Sequence, residues 1–84
     1  GEADVTVTTV TLPKLGEMVE SAVIVEWYVG EGDFVERESP IVLVETDKVE
    51  QDVPAPVSGT VVRLLVEEDA DVPVGSPICE LREG

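Results

Sequence analysis

The sequence predicts an all-β fold, a flattened barrel or two-sheet sandwich with a pseudo-twofold axis, and three observations carry that prediction. Val and Thr dominate short runs that end at Gly, Pro or Asp, the composition of strands separated by turns. Within those runs apolar and polar residues alternate, as in VIVEWYV at 23–29. The chain also repeats itself. A shift of 37 positions lays residues 21–45 onto 58–82 with eight identical pairs: Ser21/Ser58, Val25/Val62, Val29/Val66, Glu31/Glu68, Val35/Val72, Ser39/Ser76, Pro40/Pro77 and Ile41/Ile78. Two similar β units bury their apolar faces against each other, which gives two packed layers and the axis between them.

Taken in order, eight strands are expected, at 7–12, 19–22, 23–29, 34–35, 41–45, 49–53, 60–66 and 78–81. In the third of these the alternation sets Val23, Val25, Trp27 and Val29 on one face and Glu26 on the other, with Trp27 as a core anchor. VTLPKLG at 10–16 is weakly similar to VPAPVSG at 53–59, so each unit opens with a strand and a Pro-containing corner. The acidic run VEEDADV at 66–72 reads as a solvated turn; it lacks the alternating oxygen ligands, central glycine and closing glutamate of a calcium loop. Cys79 reads as a small strand residue.

At 84 residues the chain has one core and little spare volume for a deep catalytic pocket. Five basic against 19 acidic residues give a formal charge of -14, which repels nucleic acid and anionic membrane surfaces. The 43% hydrophobic content in strand-like alternation argues against disorder. One cysteine forms no internal disulfide, in keeping with a reducing compartment, and the absence of histidine removes the Ser/His and Cys/His nucleophile pairs.

Against this acidic background the chain has two lysines, Lys14 and Lys48. Lys48 falls in the link between the two units, where the pattern reads strand, ETDK, strand, and Asp47 favours a tight turn because its carboxylate can accept from nearby backbone N–H groups. Lys48 therefore projects from a hairpin tip. The repeat makes this hairpin equivalent to the place where the two chain ends meet, so hairpin and termini belong at opposite ends of the domain. Taken alone, a lysine beside a turn is a solubilising surface residue.

Its surroundings say more. ETDKV at 45–49, with PKLGE at 13–17, GDFVERESPIVLVE leading into it and VPAPVSGTV following, resembles a lipoyl domain of a 2-oxo acid dehydrogenase acyltransferase over residues 10–81. The resemblance implies the biotinyl/lipoyl carrier fold, two four-stranded antiparallel sheets in a flattened barrel with quasi-twofold symmetry. It implies lipoic acid in amide linkage to Lys48, and a lipoate ligase that reads the lysine's place at the hairpin tip and an acidic residue three positions upstream, Glu45. Thr46 lies in the same recognition stretch, and Asp47 and Val49 are flanks that favour lipoylation over biotinylation. Lys14 matches the family's corner, PKLGE, and not its attachment turn. One departure is the absence of a glycine near Ala70, which leaves the geometry of that turn open.

The resemblance further implies a non-catalytic carrier. Its arm takes an acyl group from a thiamine diphosphate-dependent 2-oxo acid decarboxylase to an acyltransferase core for transfer to coenzyme A, and dihydrolipoyl dehydrogenase reoxidises it. ETDKVEQDVPAP leans towards a 2-oxoglutarate complex. Residues 10–82 are expected to form the lipoyl domain, 1–9 a tail and the start of the first strand, and 83–84 the start of a linker in a longer parent chain. A monomer is expected, in bacterial cytoplasm or mitochondrial matrix, with no nucleic acid or membrane partner. Acylation takes the formal charge from -14 to -15; Glu45, Asp47, Glu50 and Asp52 then form an acidic collar for partners with basic entrances. Three other readings compete: a biotinyl carrier, whose lysine is typically flanked by methionines, whereas the single methionine here is Met18; a glycine-cleavage carrier, which is longer and has extra helices; and an interaction module in which Lys48 stays unmodified.

Overall fold

The computed structural model describes residues 6–84, so part of the expected tail, residues 1–5, lies outside the described residues. Eight strands run in the order β1 (Val7–Thr11), β2 (Ser21–Trp27), β3 (Phe34–Val35), β4 (Pro40–Glu45), β5 (Glu50–Pro54), β6 (Gly59–Leu64), β7 (Asp71–Pro73) and β8 (Pro77–Glu83). They form two four-stranded sheets, β1-β8-β6-β3 (sheet A) and β5-β4-β2-β7 (sheet B). All strand pairs are antiparallel.

The repeat maps β1 to β5, β2 to β6, β3 to β7 and β4 to β8, and that mapping turns one sheet order into the other. The units therefore do not stack as one sheet each. Each strand of a unit goes to the sheet opposite its predecessor, and the two units interleave. Two of the expected strands change accordingly. The strands expected at 19–22 and 23–29 are replaced by one, β2 (Ser21–Trp27), and the run at 66–72 contains the start of a strand that alternation alone did not reveal, β7. Asp71 and Val72 are the repeat partners of Phe34 and Val35 in β3, and Val72 is buried like Val35.

Bulges explain where strict alternation fails. On β2, Ile24 faces Val44 and Glu26 faces Leu43, leaving Val25 as the extra residue; on β6, Val61 faces Leu81 and Arg63 faces Glu80, leaving Val62. Ile41 on β4 and Ile78 on β8 are extra in the same sense. Both pairs are identical residues in the repeat, so the irregularities are part of the design and re-aim the side chains that follow. The inward residues of β2 are consequently Ala22 and Ile24 before the bulge, with Trp27 and Val29 packed against the core after it. Val23 and Val25 are half-buried on the other side, correcting the single face expected from alternation. Trp27 is a half-buried anchor whose indole Nε1–H donates to the Val66 carbonyl at 3.0 Å.

Beyond the bulges on β2 and β6 a backbone donor is left for a side chain, and the repeated glutamates supply its acceptor. The Glu68 carboxylate accepts from Trp27 N–H at 3.0 Å, and the Glu31 carboxylate accepts from Leu64 N–H at 3.2 Å. Leu64 is the repeat partner of Trp27, so each unit closes an irregularity in the other. The turn at 66–70 forms without a glycine near Ala70. Asp69 stands at φ 75° where the other unit has Gly32 at φ 94°, and aspartate tolerates the left-handed region better than most residues.

Ile24, Ile41, Val42, Val44, Ala55, Ile78, Cys79 and Leu81 are fully buried between the sheets. Burying each large aliphatic among them stabilises the fold by about 1.5–3 kcal/mol. Burial pushes the Cys79 thiol up to about 11, which keeps it a neutral packing group. The core thus fixes the register of β4, and β4 carries the chain to the hairpin.

Candidate functional site

β4 and β5 are joined at the end where Glu45 faces Glu50, and Thr46, Asp47, Lys48 and Val49 make the turn. β4 sits inside sheet B, with Val42 and Val44 buried and β2 on its other side, so the tip is mounted on a rigid strand. The other end of the domain is set by sheet A. β1 and β8 pair there through Val7 and Arg82, Glu83 N–H donates to the Thr6 carbonyl at 2.9 Å, and β3 ends at Val35 beside Gly59. From Val35 the chain turns and enters β4 at Pro40, whose strand then runs the length of sheet B to the tip. Hairpin and described chain ends accordingly lie at opposite ends.

Lys48 and Asp47 are exposed at the tip, Thr46 is half-buried, Val49 is 44% exposed, and Glu45 is exposed as the last residue of β4. All five residues singled out in the sequence thus stand within one turn and its first flanking pair. Lys14 is exposed in the link between β1 and β2 and not in the turn between β4 and β5.

The turn is held differently from the sequence expectation. The Thr46 hydroxyl, and not the Asp47 carboxylate, binds the backbone: it accepts from Lys48 N–H and from Val49 N–H, each at 3.1 Å, and its oxygen lies 3.3 Å from the Val49 carbonyl. Thr46 N–H donates to that same carbonyl at 2.8 Å. A threonine two residues before the lysine is a recognisable signal for such a turn.

The acidic collar is real in sequence but not uniform in space. Glu45 and Glu50 stand directly opposite across β4 and β5, a like-charge pair that costs stability. Asp52 is engaged elsewhere. The Tyr28 hydroxyl donates to its Oδ1 at 2.7 Å, and that hydrogen bond, with the nearby carboxylates, pushes the phenol up to about 12. Beside the tip a groove of about 370 Å³ is lined by Met18, Val23, Glu45, Thr46, Asp47 and Asp71, among others. It opens between the hairpin and the link from β1 to β2.

The chemistry available at this tip is that of one primary amine on a flexible stem in water. Such an amine suits amide formation with a carboxylic acid, and an exposed turn lets a second protein reach it. The residues present therefore fit a covalently attached acyl group better than a bound ligand or a reaction catalysed in place.

Comparison with known proteins agrees with this geometry. The biotin/lipoyl family model, described as "Biotin-requiring enzyme", matches residues 8–81. The dihydrolipoyllysine-residue acetyltransferase component of the pyruvate dehydrogenase complex from Corynebacterium glutamicum is 43% identical over 74 residues, 88% of this chain and 11% of that protein. The lipoamide acyltransferase component of the branched-chain alpha-keto acid dehydrogenase complex from Bacillus subtilis is 42% identical over 71 residues, 84% of this chain and 17% of that protein. This chain thus spans less than a fifth of either relative. The solution structure of the lipoyl domain of the 2-oxoglutarate dehydrogenase complex from Azotobacter vinelandii superposes with a TM-score of 0.73 at 29% identity, covering 90% of this chain and 96% of that one. Lipoyl domains of such complexes carry lipoic acid on a lysine and work with the complex's enzymes. The chain belongs to the biotinyl/lipoyl family and is a lipoyl domain, a small non-catalytic carrier of the kind found in 2-oxo acid dehydrogenase acyltransferases.

Proposed function

We propose that Lys48 is the lipoyl-bearing lysine and that the domain serves as the mobile carrier of a dihydrolipoyl acyltransferase. The observation that carries this reading is the exposure of Lys48 at the tip of a hairpin whose strands are fixed by the core. Lipoic acid joined to the Lys48 amine supplies a dithiolane that accepts electrons and an acyl group. The domain's own residues anchor that arm, keep it in water and leave it free to reach large partners. Tethering replaces diffusion of a free intermediate by effective concentration.

The partners of this reading are a lipoate ligase, a 2-oxo acid decarboxylase, the acyltransferase core that delivers the acyl group to coenzyme A, and dihydrolipoyl dehydrogenase. Glu45, Thr46, Asp47 and Val49 are the recognition positions around the lysine, and Glu45, Asp47 and Glu50 present negative charge to basic partner surfaces. Bacterial cytoplasm or the mitochondrial matrix is the compartment, with residues 10–82 acting as one module of a longer chain. Relatives and structural neighbours are named for pyruvate, branched-chain and 2-oxoglutarate complexes at 43%, 42% and 29% identity, so the lean of the hairpin sequence towards a 2-oxoglutarate complex stays a proposal.

Intact mass after incubation with lipoate, ATP and lipoate ligase, followed by peptide mapping of residues 44–53, tests the reading. One lipoyl adduct confined to Lys48 is expected. An adduct on Lys14, or none on the folded domain, overturns it.

A further inference from the structure

A two-residue hairpin loop normally matches the right-handed twist of its strands by using a turn with positive φ at one or both central residues, which is why glycine and asparagine are favoured there. The central residues here are Asp47 and Lys48, and neither has positive φ; the described non-glycine residues that do are Met18, Glu38 and Asp69. An attachment lysine occupies a place where glycine would ease the turn. The chain must therefore hold a less suited turn by other means.

Thr46 provides them. In an ordinary closed turn the backbone carbonyl of the first residue accepts from the N–H of the fourth; here the Thr46 hydroxyl receives that N–H, from Val49, together with the N–H of Lys48 itself, both at 3.1 Å. Its own N–H closes the other side on the Val49 carbonyl at 2.8 Å. The N–H of Lys48 is thus tied to a half-buried side chain whose backbone continues β4.

We propose that Thr46 is the positioning residue of the attachment site: its hydroxyl sets the backbone at Lys48 so that the flexible stem leaves the turn in one direction for the modifying enzyme to reach. The proposal rests on the reading of Lys48 as the attachment lysine and adds the device that presents it. Among the recognition positions, Thr46 is thus the one that acts through the turn it holds and not through contact with the enzyme.

The test compares Thr46→Val, which keeps the shape and removes the hydroxyl, with Thr46→Ser, which keeps the hydroxyl. Steady-state ligation with lipoate, ATP and lipoate ligase is measured beside amide hydrogen exchange at Lys48 and Val49, with Trp27 fluorescence reporting the fold. Thr46→Val is expected to lower kcat/KM for ligation by about tenfold or more, as misplacement of a reacting group does. Exchange at both amides is expected to accelerate by about tenfold on loss of their acceptor. Thr46→Ser should restore both readings to near the parent values.

Rapid exchange with unchanged ligation overturns the proposal, because the turn would then be irrelevant to presentation. Slower ligation with unchanged exchange also overturns it, since the enzyme would then be reading the threonine directly. Failure of the parent domain to accept lipoate at Lys48 sinks the attachment reading itself; in that event the exchange rates still report whether Thr46 holds the turn.

Discussion

Across the outer face of sheet B near the hairpin, Asp71, Val23, Glu45 and Glu50 stand in one row of cross-strand partners. The row that the repeat makes equivalent on sheet A is Phe34, Thr60, Arg82 and Val7. One framework carries three carboxylates at the attachment end and an arginine between exposed apolar side chains at the other, with Phe34 57% and Val7 50% exposed. The contrast extends along the strands: those of sheet B contain Glu26, Glu45, Glu50, Asp52 and Asp71 and no cation, whereas those of sheet A balance Glu80 and Glu83 with Arg63 and Arg82. Residues that repeat hold the frame, as Glu31 and Glu68 do. Residues that differ are free to serve function, and the opposed pair Glu45/Glu50 is retained at a cost in stability that the frame does not require.

The sharpest way to break the equivalence is at Gly59, the repeat partner of Ala22. Ala22 is buried with its methyl accommodated, but a Cβ on Gly59 would lie 2.4 Å from the Arg82 carbonyl oxygen and 2.9 Å from its carbon. Gly59→Ala is expected to destabilise the domain by about 1–3 kcal/mol through forced separation of β6 and β8. Urea unfolding followed by Trp27 fluorescence measures it, and an unchanged midpoint would mean that the β6 and β8 pair yields as readily as its counterpart.

The exchanged glutamates come next. Glu68→Ala removes the acceptor of Trp27 N–H at 3.0 Å and should cost about 1–2 kcal/mol, whereas Glu31→Ala removes a longer bond at 3.2 Å and should cost less. The same unfolding assay ranks them. Equal losses would indicate that the two bulges depend on their caps alike despite the difference in length.

Two turns give an effect of opposite sign. Glu38 stands at φ 77° where the other unit has Gly75 at φ 90°. Glu38→Gly relieves a left-handed side-chain strain of about 1–2 kcal/mol and loses about 0.5–1 kcal/mol to the entropy of the unfolded glycine, leaving a small net gain. Gly75→Ala introduces the strain and lowers the midpoint. If both substitutions destabilise, Glu38 makes a contact that outweighs its backbone cost.

How much of this was legible in the sequence follows from which periodicities are local. Alternation and turn residues located most strands, and the repeat gave the axis and put Lys48 at the far end from the termini. Alternation misassigned the inward face of β2, because the extra residue at Val25 exchanges the two sides halfway along the strand. It also missed β7, a three-residue strand whose single buried residue, Val72, sits among acids. The repeat could have found it through Phe34 and Val35. Interleaving of the units was hidden because self-similarity says that two units pair and not which sheet each strand joins. At the tip, residue types pointed to five positions that the structure gathers in one turn and its first flanking pair. They did not reveal that Thr46 does the holding, since Asp47 and Thr46 are both turn formers and only geometry separates them.

The smallest effect tests the acidic side of the comparison. The chain's one tyrosine, Tyr28, donates to Asp52 on β5, while its repeat partner on the other side is Leu65, which does not titrate. The phenol is held up to about 12 from 10.0, chiefly by that hydrogen bond. A folded value above the unfolded one means that the protonated form favours the fold. The contribution is whole below pH 10.0 and is lost as the pH rises through about 12. Because the ring is open to solvent, the consequence for stability is slight, but the titration itself is directly visible in the near-ultraviolet absorbance of tyrosinate. Asp52→Asn should bring the midpoint down towards 10.0 and flatten the alkaline dependence of unfolding between these values. A midpoint that stays near 12 in that variant would assign the shift to desolvation together with Glu26 and Glu50, and the surroundings on sheet B, not the Asp52 carboxylate, would be what distinguishes it from sheet A.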